Sequence, residues 1–97
     1  METNYLTTMD ELRRVLLPAQ LCTKLGWEVG HKVTAQIDQT NNSLAIHATE
    51  DGNMAIDDLN RIELDESTCS ELGLKFGKLS ISLGTDGLYL VLEQPNM

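Results

Sequence analysis

Two stretches of this chain of 97 residues lie over one another without a gap. They are residues 9–30, MDELRRVLLPAQLCTKLGWEVG, and residues 56–77, IDDLNRIELDESTCSELGLKFG. Eight of the 22 positions are identical: Asp10/Asp57, Leu12/Leu59, Arg14/Arg61, Leu17/Leu64, Cys22/Cys69, Leu25/Leu72, Gly26/Gly73 and Gly30/Gly77. Average residue usage predicts about one or two such matches. With small gaps the likeness continues: Val33–Ile37 sits over Leu79–Leu83, and Leu44–Ile46 over Leu88–Leu90. A unit of roughly 50 residues is too small to bury a stable core alone. The repeat therefore demands that residues 1–50 and 51–97 cover each other's apolar faces and form one domain between them.

Each unit reads the same way. An opening strand is expected near Tyr5–Met9 and again near Met54–Ile56. The apolar-rich runs Leu12–Leu17 and Leu59–Leu64 have strand length. Pro18 suits the first turn of a helix, where its missing N–H is not needed. Ala19–Leu25 supplies two turns, with Leu21 and Leu25 on one face and Gly26 as the stop. In the second unit Asp65 is the expected N-cap, Thr68 and Leu72 lie on the matching face, and Gly73 is the stop. Gly30 and Gly77 are read as turn residues. A hairpin follows in each unit, Val33–Ile37 with Leu44–His47 across residues 38–43, and Leu79–Leu83 with Leu88–Leu92 across Gly84-Thr85-Asp86-Gly87. The expected fold class is mainly β with two short helices. The chain has only four aromatic side chains, Tyr5, Trp27, Phe76 and Tyr89, so the core is expected to rest on Leu, Val, Ile and Ala.

Charge narrows the function. Seven Lys and Arg stand against fifteen Asp and Glu, a net charge of −8, of which residues 1–51 carry −3 and residues 52–97 carry −5. Such a chain is not drawn broadly to nucleic acid or to an anionic membrane, although a small basic patch fits on an acidic body. Two cysteines are too few for a disulfide framework and have no metal-ligand spacing. No apolar stretch reaches the roughly 20 residues of a membrane span. Met1–Met9 has neither the basic nor the apolar region of a secretory signal, so a cytoplasmic protein is expected. No pairing of nucleophile and base points to an enzyme, His31 and His47 do not suggest a metal site, and no cofactor pattern is present.

The run Asp10-Glu11-Leu12-Arg13-Arg14-Val15-Leu16-Leu17-Pro18, then Leu25-Gly26, then Gly30-His31-Lys32-Val33, resembles the swapped-hairpin domains of the AbrB, SpoVT and MazE group. The resemblance covers residues 5–48 well and residues 53–92 more loosely, since Asp65 replaces Pro18. It implies an AbrB-like swapped-hairpin β-barrel. Most members are homodimers, and MraZ-type members carry two units in one chain, so an internal pseudo-dimer is expected here. The alternative is two chains that exchange halves. It also implies sequence-selective DNA binding in transcription control.

The resemblance selects Arg14 and Arg61 as candidate DNA contacts, with Arg13 and Lys24 beside them. Each has a second reading. Arg14 and Arg61 lie four residues after Asp10 and Asp57 and could hold a loop by ion pairs. Arg13, read as strand, faces away from Arg14 and serves either as a phosphate contact or as a solvated charge. Lys24 suits the last turn of a helix. Where the best-matching relatives carry paired arginines on the helix, this chain has Cys22 and Thr23, and the second helix reads Glu66-Ser67-Thr68-Cys69-Ser70-Glu71. Thr7 and Thr8 occupy the opening strand where basic residues are common in the group. Cys22 and Cys69 are expected to pack as small apolar residues, and Trp27 to pack in the core. Two functions follow: a DNA-binding regulator of weakened affinity, or an acidic protein-interaction module, antitoxin-like or mimicking nucleic acid, whose second unit meets a basic partner.

Overall fold

The computed structural model describes residues 4–84 and 89–94. Eight strands and two helices follow one another: β1 (Tyr5–Met9), β2 (Arg14–Leu16), α1 (Ala19–Leu25), β3 (Lys32–Asp38), β4 (Ser43–Ala48), β5 (Met54–Ala55), β6 (Arg61–Glu63), α2 (Glu66–Leu72), β7 (Gly77–Leu83) and β8 (Tyr89–Glu93). The strands form a single antiparallel sheet in the order β5-β3-β4-β8-β7-β1-β2-β6, and the two edge strands β5 and β6 approach one another, so the sheet is a nearly closed barrel. The expectation of a mainly β chain with two short helices holds.

The pairings explain how two small units share one core. The opening strand of the first repeat, β1, pairs with β7 of the second, from Tyr5↔Ile81 to Met9↔Gly77. Reciprocally, β5 of the second repeat pairs with β3 of the first, Lys32↔Ala55 and Val33↔Met54, and the Gly30 and Ile56 amides extend that ladder. Equivalent positions meet face to face at two seams, Val15↔Ile62 between β2 and β6 and Ile46↔Leu90 between β4 and β8. Strand alternation then turns one face of each inward. Val15, Leu21, Val33, Leu44, Ile46, Ile62, Leu79, Ile81, Leu90 and Leu92 are at most 1% exposed and belong to one cluster drawn from both repeats. Each such side chain contributes about 1.5–3 kcal/mol by leaving water. Alanine, expected to share the core, only borders it at Ala35, whereas Met9, Trp27, Cys22 and Cys69 are buried.

The helix ends are alike. Gly26 and Gly73 adopt the left-handed conformation, at φ 71° and 68°. The amides of Gly26 and Gly73 reach Thr23 O and Ser70 O, and those of Trp27 and Leu74 reach Cys22 O and Cys69 O at 2.9 Å. This doubled bond pattern with an apolar residue after the glycine is a Schellman stop. Trp27 and Leu74, which follow the stops, are each 7% exposed and belong with the buried cysteines to the one core cluster. Trp27 therefore packs as expected.

Four local expectations need correction. The strands start later than the apolar runs: Leu12 and Leu59 are 58% and 60% exposed, on turns that precede β2 and β6. Pro18 is the residue before α1, in extended conformation, not its first helical residue. Asp65 holds the matching position before α2, but its side chain makes no capping bond. Gly77 opens strand β7, at φ 115°, instead of lying in a turn, while Gly30 does turn the chain, at φ 91°. The second hairpin loop, residues 85–88, lies outside the described residues.

Candidate nucleic-acid interface

The phrase Asp-x-Leu-x-Arg, present at residues 10–14 and 57–61, folds into the same closed turn twice. Asp10 Oδ1 accepts the amides of Leu12 and Arg14, both at 2.9 Å. Asp10 Oδ2 accepts Nε of Arg14 at 2.7 Å. The main chain closes on itself through Arg13 N–H to Asp10 O and Asp10 N–H to Arg14 O, each at 3.0 Å. In the second repeat Asp57 accepts the amides of Leu59 at 2.9 Å and Arg61 at 2.8 Å, and Nε of Arg61 at 3.0 Å. A short aspartate that binds amides two and four residues ahead is a strong local turn-former. The turn drives its fourth residue into the left-handed region: Arg13 at φ 64° and Asn60 at φ 61°. Asparagine tolerates that conformation; arginine meets a cost of about 1–2 kcal/mol.

Both aspartates are held below the ordinary carboxylate range. For Asp10 the Arg14 amide is the largest cause, with the Arg14 side chain and the Leu12 amide adding to it against partial desolvation. For Asp57 desolvation pushes upward most strongly, and the amides of Arg61 and Leu59 with the Arg61 guanidinium together outweigh it.

These turns place the candidate residues. Arg14 and Arg61 sit on β2 and β6 beside the seam pair Val15↔Ile62. Val15 and Ile62 point into the barrel, so alternation sends both arginines to the outer face. Each spends its Nε on its aspartate, as the ion-pair reading anticipates; among the described residues the terminal nitrogens of neither guanidinium make a hydrogen bond. Register sets Glu63 opposite Arg14 and Leu16 opposite Arg61.

Arg13 does not face away from Arg14 along a strand. It lies in the turn, where the left-handed backbone breaks strand alternation, and its Nε donates to the Leu64 carbonyl at 3.1 Å. The Leu64 amide returns a bond to Arg13 O at 2.9 Å, and the Leu17 amide bonds Asn60 O at 2.8 Å. Arg13 thus reaches across the seam to the second repeat. Lys24 is exposed in the last turn of α1, where its charge complements the helix carbonyls. Three arginines are gathered at the seam, with Lys24 on the helix that follows it.

The remaining candidates are structural. Thr7 is buried, its hydroxyl donating to the Leu16 carbonyl, so only Thr8 is presented on the outer face of β1. Cys22 and Cys69 are free and buried; burial raises both thiols, with Arg13 pulling Cys69 down and Asp65 pushing it up more weakly. His31 Nδ1 accepts the Glu28 amide at 2.7 Å, and His47 stacks on Tyr89 with ring centres 4.6 Å apart. Among the described residues no group of His, Cys, Asp and Glu is arranged to hold a metal ion, and no helix is long and apolar enough to cross a membrane.

Sequence reasoning found the arginines and their ion-pair partners but missed the turn that orders them. The signal was available in the doubled aspartate-to-arginine spacing, with Asn60 marking the left-handed position. No protein-family model matches the chain, and no curated protein matches it.

Proposed function

We propose that this chain is a DNA-binding transcriptional regulator of the AbrB type, a swapped-hairpin barrel whose two units, 1–50 and 51–97, form an internal pseudo-dimer. The observation that carries the reading is the placement of Arg14 and Arg61 at equivalent positions on the outer face of one seam, each next to the Val15↔Ile62 pair of β2 and β6. Two like cations related through a local two-fold suit the local symmetry of a DNA duplex. The exchange of opening strands between the repeats supports the same family resemblance. Arg13 and Lys24 add phosphate contacts beside the pair. Contact through so few cations on a chain of charge −8 gives weak binding that falls steeply with salt.

A second reading, an acidic interaction module, draws on the six carboxylates among residues 56–75, and on the ion pairs by which one of these, Asp57, and Asp10 in the first repeat already occupy part of each arginine. Fluorescence anisotropy with a mixed-sequence and an A·T-rich duplex, at low and near-physiological salt, separates the two. Arg13→Gly with Lys24→Ala is the informative variant, because glycine keeps the left-handed turn and neither change touches the Asp10–Arg14 pair. The regulator reading expects binding by the intact protein, weakened by salt, and a shallower salt dependence in the variant. No binding at low salt would end it and leave the protein-partner reading.

A further inference from the structure

The two repeats present the same backbone with different charge. Residues 9–28 hold three acidic and three basic side chains, whereas the equivalent residues 56–75 hold six acidic and two basic ones. The differences fall on the seam and on the helix after it. Arg13 is matched by Asn60, exposed Leu16 by exposed Glu63, Pro18 by Asp65, exposed Ala19 by exposed Glu66, and exposed Lys24 by exposed Glu71. Every one of these changes makes the second repeat more negative; the opposite change, Glu28 to Lys75, lies beyond the helix. Because β2 and β6 run antiparallel and each helix begins three residues after its seam strand, α1 and α2 leave the seam at opposite ends, and Arg13 lies at the α2 end, in one hollow with Glu66 and Cys69.

Building on the DNA-binding reading, we infer that contact with DNA is one-sided: Lys24 of α1 meets the phosphates of a duplex together with Arg14 and Arg61 at the seam, and α2 is held off by its own carboxylates, of which Asp65 and Glu66 also stand beside Arg13. A phosphate brought to α1 meets Lys24 and uncharged neighbours. The same phosphate brought to α2 meets Glu66 and Glu71 with Asp65 beside them, and like charges at that range repel through little intervening protein. A single chain then covers about one half of the surface that the fold's two-fold arrangement offers.

Amide proton–nitrogen spectra recorded during titration with a mixed-sequence duplex of about 20 base pairs, two helical turns, at low salt test this directly. The inference expects shifts across residues 19–25 and at Arg14 and Arg61, with residues 65–72 unmoved. Equal shifts in α1 and α2 would overturn it while leaving DNA binding in place. No shifts anywhere would remove the DNA-binding reading itself, and the inference with it. A second arm uses Glu66→Ala with Glu71→Lys, which gives α2 the charges of α1 on exposed positions remote from the core. The variant is expected to bring α2 into the shifted set and to steepen the slope of log affinity against log salt by about one. An unchanged slope and a silent α2 in the folded variant would also overturn the inference.

Discussion

Ile81 tests whether the repeats are one cooperative body. It lies in β7, is 0% exposed, and is flanked by Tyr5 of β1 on one side and Leu92 of β8 on the other. Ile81→Val removes one buried methylene, a transfer loss of about 0.8 kcal/mol. With the small cavity left behind, the expected cost is about 1 kcal/mol, within the range found for this substitution. In a domain of this size that lowers Tm by roughly 4–8 °C. The chain's single tryptophan, Trp27, is buried just after α1 in the other repeat, so its fluorescence reports on the first repeat while far-UV circular dichroism reports on all strands. Strand exchange through β1·β7 and β3·β5 requires both signals to shift together by the same amount. A tryptophan transition that stays in place while the dichroism transition moves would refute the shared core. An unshifted melt by both probes would refute the burial of Ile81.

Two further outcomes follow from local geometry. Asp10 and Asp57 have lowered folded-state pKa values, so their contribution is fully present above the ordinary carboxylate pKa of about 4 and is lost as pH falls through the lowered values. Acid melts from pH 5 downward should accordingly be flatter for Asp10→Asn with Asp57→Asn, and an identical pH profile in wild type and variant would count against the turn assignment. Gly52→Ala would set its Cβ 2.5 Å from the Val33 carbonyl oxygen, a backbone atom that cannot swing aside; a loss of about 1–3 kcal/mol in urea unfolding is expected, and a neutral result would contradict this close approach.

The repeat made most of the architecture legible, because identical residues at Leu17/Leu64, Cys22/Cys69 and Gly26/Gly73 mark buried or turn positions of both units. Alternation in Val33–Ile37 and Leu79–Leu83 gave the hairpin strands for the same reason: one face is buried. Reading Leu12 and Leu59 as strand residues failed because hydrophobicity was weighed without the aspartate two positions earlier, whose carboxylate captures the leucine amide and bends the chain. The orientation of Arg13 failed with it, since alternation does not pass through a left-handed residue. Pairing between β1 and β7, and the seam that sets Arg14 against Glu63, are contacts between distant segments, which no local periodicity encodes.

Strand exchange also has a consequence for how the chain is made. Tyr5 is translated first among the residues of its ladder and waits for Ile81, more than seventy residues later, before β1 gains that neighbour. At about 5–20 residues per second on the ribosome, the interval is several seconds. Throughout it the amides and carbonyls of one edge of β1 have no native partner, and exposed Leu6 lies on the same strand. The first repeat therefore emerges as an incomplete sheet whose missing strand has not yet been synthesised, and the barrel closes only once the last third of the chain has left the tunnel. A nascent chain stalled before residue 77 would carry an open strand edge, the feature that invites pairing with a neighbouring polypeptide.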